Sequence, residues 1–145
     1  MKTKLLVLIL FLFCLNCFAQ TPKLLDYKVK TADNAKERTE MLDAFRADLY
    51  KEWKLKFEFV VSYFKRSGDY AWFEGTAERK DGKDMTFPED SYDCCHAEAL
   101  FQKKDGKWIM LEGDAFSTDV WYWGIGKRHP KASVSIFPKD SAALR

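Results

Sequence analysis

KFEFVVSYFKRSGDYAWFEGTAER, residues 56–79, decides the fold. Its first ten residues are dense in aromatic and β-branched side chains, which favour a pleated, half-buried surface over a helix. Ser67-Gly68-Asp69 supplies turn chemistry, and residues 70–79 return as a second strand containing Trp72 and Phe73. Strict alternation places Phe57, Phe59, Val61 and Tyr63 on one face of the first strand. The pair is an antiparallel hairpin with an apolar side that needs a partner.

That partner lies immediately upstream. Over residues 35–53, Leu42, Phe45, Leu49 and Trp53 recur at helical spacing with Met41 beside them, while Glu37, Glu40, Asp43, Arg46, Asp48 and Lys51 occupy the remainder. Asn34 followed by Glu37 three residues on predicts a capping box. This is an amphipathic helix of about five turns. Downstream, Asp81-Gly82 marks a turn, residues 83–91 with Pro88 read as a surface loop, and residues 93–102 and 107–116 read as third and fourth strands about Asp105-Gly106. Residues 20–31 are a linker entering a short edge strand at 24–29. Residues 117–145 are less regular, and the apolar run 134–137 is expected to add an edge strand. The predicted fold is therefore α+β, with one long N-terminal helix on a curved antiparallel sheet of four to five strands, in a single domain spanning 32–145.

The chain begins differently. Lys2 and Lys4 precede an unbroken apolar run over 5–15, and Cys17-Phe18-Ala19 offers small side chains at both specificity positions of a cleavage site. These three parts make residues 1–19 a signal peptide, cut after Ala19 in a manner that resembles Gram-negative bacterial export signals. The run is too short to span a bilayer as a helix. Lipid attachment at Cys14 or Cys17 is the less favoured fate, because Phe13 and Asn16 stand where a small residue is wanted. The expected location is therefore secreted or periplasmic. Removal of the leader takes Lys2 and Lys4, the source of the formal +2, and leaves 22 basic against 22 acidic residues. A neutral domain has no electrostatic grip on a phosphate backbone, so nucleic acid is excluded as a partner class. Of four cysteines only the adjacent Cys94 and Cys95 remain, and no long-range disulfide can staple the fold.

Four local features carry a resemblance: Met41-Leu42-Asp43-Ala44-Phe45-Arg46 in the helix, Gly68-Asp69-Tyr70-Ala71-Trp72-Phe73 at the first hairpin, Asp105-Gly106-Lys107-Trp108 at the second, and Thr118-Asp119-Val120-Trp121 after the last strand. In these the chain resembles small secreted bacterial proteins of uncharacterised function, a likeness that implies no activity. The helix-then-meander layout resembles the cystatin-like and NTF2-like folds, which implies a helix cradled by a rolled sheet.

Three constellations are candidates for use. On a strand, Cys94, His96 and Glu98 share one face and Cys95, Ala97, Ala99 and Phe101 the other. Thiolate, imidazole and carboxylate are all zinc ligands, but residues two apart on a strand stand roughly 6.5–7 Å from one another and converge poorly on one ion. No metal or other cofactor is expected, and a bond between the adjacent sulfurs is the less favoured state. Neither His96 nor His129 sits in a nucleophile motif, and no catalytic residue is assigned; Asp114 and Asp119 are the carboxylates placed to serve a pocket as a base. Twenty aromatic residues follow Ala19, more than a small core hides easily. Trp121-Tyr122-Trp123, read as extended, sends Tyr122 opposite to both tryptophans, and with Asp119 makes the candidate binding segment. The expectation is an exported, non-catalytic binder of a protein, peptide or small ligand in the cell envelope, working through the concave sheet face or the aromatic tail. The alternative is an NTF2-like small-ligand carrier or pocket enzyme with an aspartate base.

Overall fold

The computed structural model describes residues 21–88, 92–139, 141 and 144. The predicted signal peptide, residues 1–19, and residues 89–91 of the predicted surface loop lie outside the described residues. Chain order is β1 (Leu24–Asp26), α1 (Ala35–Trp53), β2 (Phe57–Ser67), β3 (Tyr70–Arg79), β4 (Tyr92–Lys104), β5 (Lys107–Ser117), α2 (Ile125–Arg128) and a 3-10 turn at Val134–Ile136. The five strands form one antiparallel sheet in the order β1-β2-β3-β4-β5, so every strand pairs with its sequence neighbours. Two-residue turns close the β2–β3 and β4–β5 hairpins. Gly68 takes positive φ in the first, and Asp105 and Gly106 both do so in the second, the geometry that matches strand twist.

α1 lies on one face of this sheet. Met41, Leu42, Phe45 and Leu49 are buried on its inward stripe, as the periodicity predicts, and Trp53 packs at its end. They meet Phe57, Phe64, Ala71, Phe73, Ala77, Ala97, Ala99 and Phe101. The rings interlock: Phe45 stacks on Phe59 at 5.0 Å and stands edge-on to Phe73 at 6.1 Å. Glycine is required where β2 and β3 crowd together. A methyl group on Gly75 would fall 2.4 Å from the Val60 carbonyl oxygen and 2.8 Å from Phe73 Cζ. Among the described residues, no helix is long and apolar enough to cross a membrane.

Four local expectations are corrected. The capping box does not form: Asn34 Oδ1 accepts from the Thr31 amide and Nδ2 donates to the Val29 carbonyl, so the side chain ties down the entering loop instead. Glu37 turns away to Tyr27 and Lys103. In β2 a register shift between Val61 and Tyr63 breaks the alternation. Phe59 and Val61 stay with the helix-side core, but Tyr63 is turned to the opposite face and Phe64 takes its place. The first strand is shorter than predicted: it ends at Asp26, after which the Tyr27 amide makes one more bond to the Phe64 carbonyl and its hydroxyl donates to Glu37. Finally, residues 134–137 add no strand. They form a 3-10 turn whose Ile136 and Phe137 are buried against Trp72 and Leu100.

The tail thus covers the sheet face opposite α1, building a second apolar cluster of Trp72, Leu100, Ile125, Ala132, Ile136, Phe137 and Leu144. Arg128 pins it. Its guanidinium donates to both carboxylate oxygens of Glu112 and to the carbonyls of Trp121 and Trp123, and His129 Nε2 meets Glu112 Oε1 at 2.5 Å. The sheet therefore has two packed faces, and the helix-side face is filled by core rather than open to a ligand.

Candidate functional site

Alternation along β3 and β4 sends Ala71, Phe73, Ala97, Ala99 and Phe101 to the helix and Trp72 and Leu100 to the tail. By the same parity Glu74, Thr76, His96 and Glu98 face the tail. The register then sets three acids directly abreast on neighbouring strands: Glu74 opposite Glu98, and Glu98 opposite Asp114. Like charges in directly opposed positions destabilise a sheet. Glu98, in the middle, is also buried, with 5% of its surface exposed.

Burial pushes the Glu98 carboxyl up to about 8, with the charges of Glu74 and Asp114 pushing the same way and a hydrogen bond from Trp121 opposing them. At neutral pH this group holds a proton. His96 Nε2 contacts Glu98 Oε1. Trp72 Nε1 donates to Glu74 Oε1 at 2.8 Å, fixing that carboxylate against the indole edge. Asp114 is half-buried and likewise pushed up by burial. The Tyr122 hydroxyl is raised first by burial and then by the Glu98 and Glu74 charges, and Tyr63 by burial and the Glu74 charge, so the field of the row reaches both rings.

A cavity of about 340 Å³ opens over this row. Its described walls are Trp72, Glu74, His96, Glu98 and Tyr122 from one side and Pro138, Ser141 and Leu144 of the tail from the other. Such a space suits a small molecule with one apolar flank and a few fixed polar contacts. A larger groove of about 650 Å³ runs between α1 and β2, lined in part by Arg46, Tyr50, Phe57 and Lys80. Four of its charges form two pairs, Arg46 with Asp43 and Lys80 with Glu58, and it holds no buried acid.

The sequence candidates are distributed unevenly around this site. His96 and Glu98 are brought together in it. Cys94 is not: its sulfur is bonded to that of Cys95, the state less favoured from the sequence, and so it presents no thiolate. Among the described residues no three His, Cys, Asp or Glu side chains gather to hold a metal ion. Trp121, Tyr122 and Trp123 do not alternate, because they form a turn rather than an extended segment. Trp121 packs beside Trp72 at 6.1 Å, Tyr122 lines the cavity, and Trp123 stands outward with 68% exposure. Asp119 is exposed and its amide bonds the Ser117 hydroxyl, a turn role outside the cavity. Glu74 and Trp72 are the residues that sequence reasoning passed over. The available signal was an acid in the otherwise apolar run Tyr70-Ala71-Trp72-Phe73-Glu74-Gly75, two positions from a tryptophan and so on its face.

No protein-family model, no curated protein and no solved structure matches this chain.

Proposed function

We propose that the protein is an exported, non-catalytic binding protein whose ligand site is the cavity between the β3–β4 face and the tail. Export rests on the charge, apolar run and cleavage tripeptide of residues 1–19. Binding rests on one observation above the rest: a buried glutamate held between two facing acids at the floor of a cavity. A sheet does not need that arrangement to fold, and apolar residues at these positions would stabilise it more. We read the helix-on-meander layout as a cystatin-like or NTF2-like roll. In this reading the ligand enters on the tail side, since α1 fills the other.

Surveying small neutral, cationic and anionic fragments by NMR tests the reading. Binders are expected to shift the Trp72 and Tyr122 ring signals and the His96 ring together, while Trp123, outside the cavity, stays still. A Ser141→Trp variant, which fills the mouth, should remove those shifts without lowering the melting temperature by more than a few degrees. Shifts confined to Trp123, or shifts that survive Ser141→Trp, would place binding elsewhere.

A further inference from the structure

Building on the pocket reading, we infer that this cavity selects a small organic cation, its ammonium group seated between the Glu74 and Glu98 carboxyls and its carbon skeleton against the Trp72 and Tyr122 rings.

The charge balance of the lining carries the first half of this inference. Glu74, Glu98 and Asp114 stand abreast, and among the described residues no lysine or arginine approaches any of them within ion-pair distance. The nearest candidates are engaged elsewhere. Lys65 on β2 is paired with Asp26, and Arg128 on the tail with Glu112. His96 is the single described basic group in contact, and its side chain is half exposed. The half-buried Glu37, by contrast, receives both Lys103 and the Tyr27 hydroxyl. Among the described residues the tail-side row has no such lysine or arginine, and a bound cation supplies that charge.

The walls carry the second half. An inorganic dication keeps its water and asks for a shell of oxygens. Tyr122 and Pro138 offer a ring and aliphatic surface instead, backed by Trp72 and Leu144, which are themselves buried behind them. An alkylammonium or quaternary ammonium group matches both features, since aromatic faces attract such cations and apolar walls accept their carbon. The Trp72 indole is held by its own bond to Glu74, so ring and carboxylate are fixed relative to each other before a ligand arrives.

A further consequence is a coupling to protons. Glu98 faces Glu74 on β3, His96 on β4, Asp114 on β5 and Trp121 and Tyr122 on the tail, and it holds a proton up to about 8. A permanent cation favours the ionised form, so binding expels that proton.

The experiment compares choline, a permanent cation, with its neutral isostere in which carbon replaces the nitrogen, each titrated against the protein by NMR at the Trp72 and Tyr122 rings. Choline is expected to bind saturably, at least about tenfold more tightly than the isostere. Its affinity should rise as pH passes through 8, while that of the isostere stays level. Glu74→Gln should weaken choline about tenfold and leave the isostere unchanged. Equal binding of the two probes overturns the cation inference and leaves the pocket reading standing. Absence of saturable choline binding also overturns it, and a blank fragment survey as well would remove the pocket reading itself.

Discussion

Replacing Glu98 by glutamine is expected to stabilise the protein at neutral pH, the reverse of most substitutions at a buried position. The reasoning is one of linkage. In the unfolded chain this carboxyl ionises at its ordinary value of 4.5, whereas in the folded protein it holds its proton to about 8. Between those limits the unfolded state gives up a proton that the folded state keeps, so stability falls as pH rises, by about 1.36 kcal/mol for each pH step. By pH 7 the loss is on the order of 3 kcal/mol, and above 8 it stops growing. Glutamine has the same shape and never ionises. Its amide oxygen can accept the Trp121 hydrogen bond, and its NH₂ can donate to His96 Nε2. The variant should therefore match the wild type near pH 4.5, exceed it by about 3 kcal/mol at pH 7, and level off at an advantage of roughly 5 kcal/mol above 8. Urea unfolding at a series of pH values reads the difference directly, provided the two proteins share one m-value. Other acids titrate in both proteins, so the difference isolates Glu98. Parallel pH profiles for the two, or a less stable variant at pH 7, would refute the argument that this carboxyl is held neutral by burial.

Glu37 should behave in the opposite sense. Burial alone would raise its carboxyl, but hydrogen bonds from Lys103 and Tyr27 and the charge of Arg66 outweigh it and hold the group down at about 2. A lowered acid stabilises above its unfolded value and loses that contribution as pH falls from 4.5 toward 2. Glu37→Gln is thus expected to cost about 1–2 kcal/mol at pH 7, discounted for its partial exposure, and nothing near pH 2; a cost that persists undiminished at low pH would sink the account. Gly75→Ala tests the close approach at the β2–β3 ladder. The new methyl would meet a strand carbonyl at 2.4 Å, and that oxygen cannot retreat without opening the ladder, so a loss of about 2–3 kcal/mol is expected. An unchanged melting temperature would show that the strands have room.

What the sequence discloses and what it hides follow from the range of each interaction. The α1 stripe was legible because every residue in it answers to one short period, and Met41, Leu42, Phe45 and Leu49 are indeed the buried set. The hairpin turns were legible because Gly68 and Asp105-Gly106 carry their backbone requirement locally. In β4 the alternation that sets Cys95, Ala97, Ala99 and Phe101 on one face is legible, since the β3–β4 register runs unbroken from Gln102 to His96 and Cys95 packs with the same core. The shift after Val61 was not legible. Nothing in Val60-Val61-Ser62-Tyr63-Phe64 states which residue gives up its partner, and one displaced residue turns Tyr63 and Phe64 onto the wrong faces. Asn34 and Glu37 fit a capping box by spacing, yet partners ten or more residues away claim Glu37. The site was half visible for the same reason. His96 and Glu98 lie on one strand and could be paired by eye, but Glu74 joins them only through the β3–β4 register, which a long loop conceals.

The two faces of the sheet divide stability from use. On the helix side the contacts are rings and aliphatic chains, and burial of that apolar surface lowers the free energy of folding. On the tail side Trp72, Leu100, Ile136 and Phe137 do the same work, but beside them lie three facing acids whose burial costs a large fraction of what a small domain has to spare. That cost is borne locally. Glu74 and Glu98 lie on the face opposite the Phe45–Phe59–Phe73 stack, and the clamp of Arg128 and His129 on Glu112 gives the tail a hold separate from Glu98. A fold arranged this way can keep a destabilising row of acids because the opposite face has enough apolar burial to offset it. Removing the row should therefore improve the fold and empty the site, whereas removing the helix-side rings would end both.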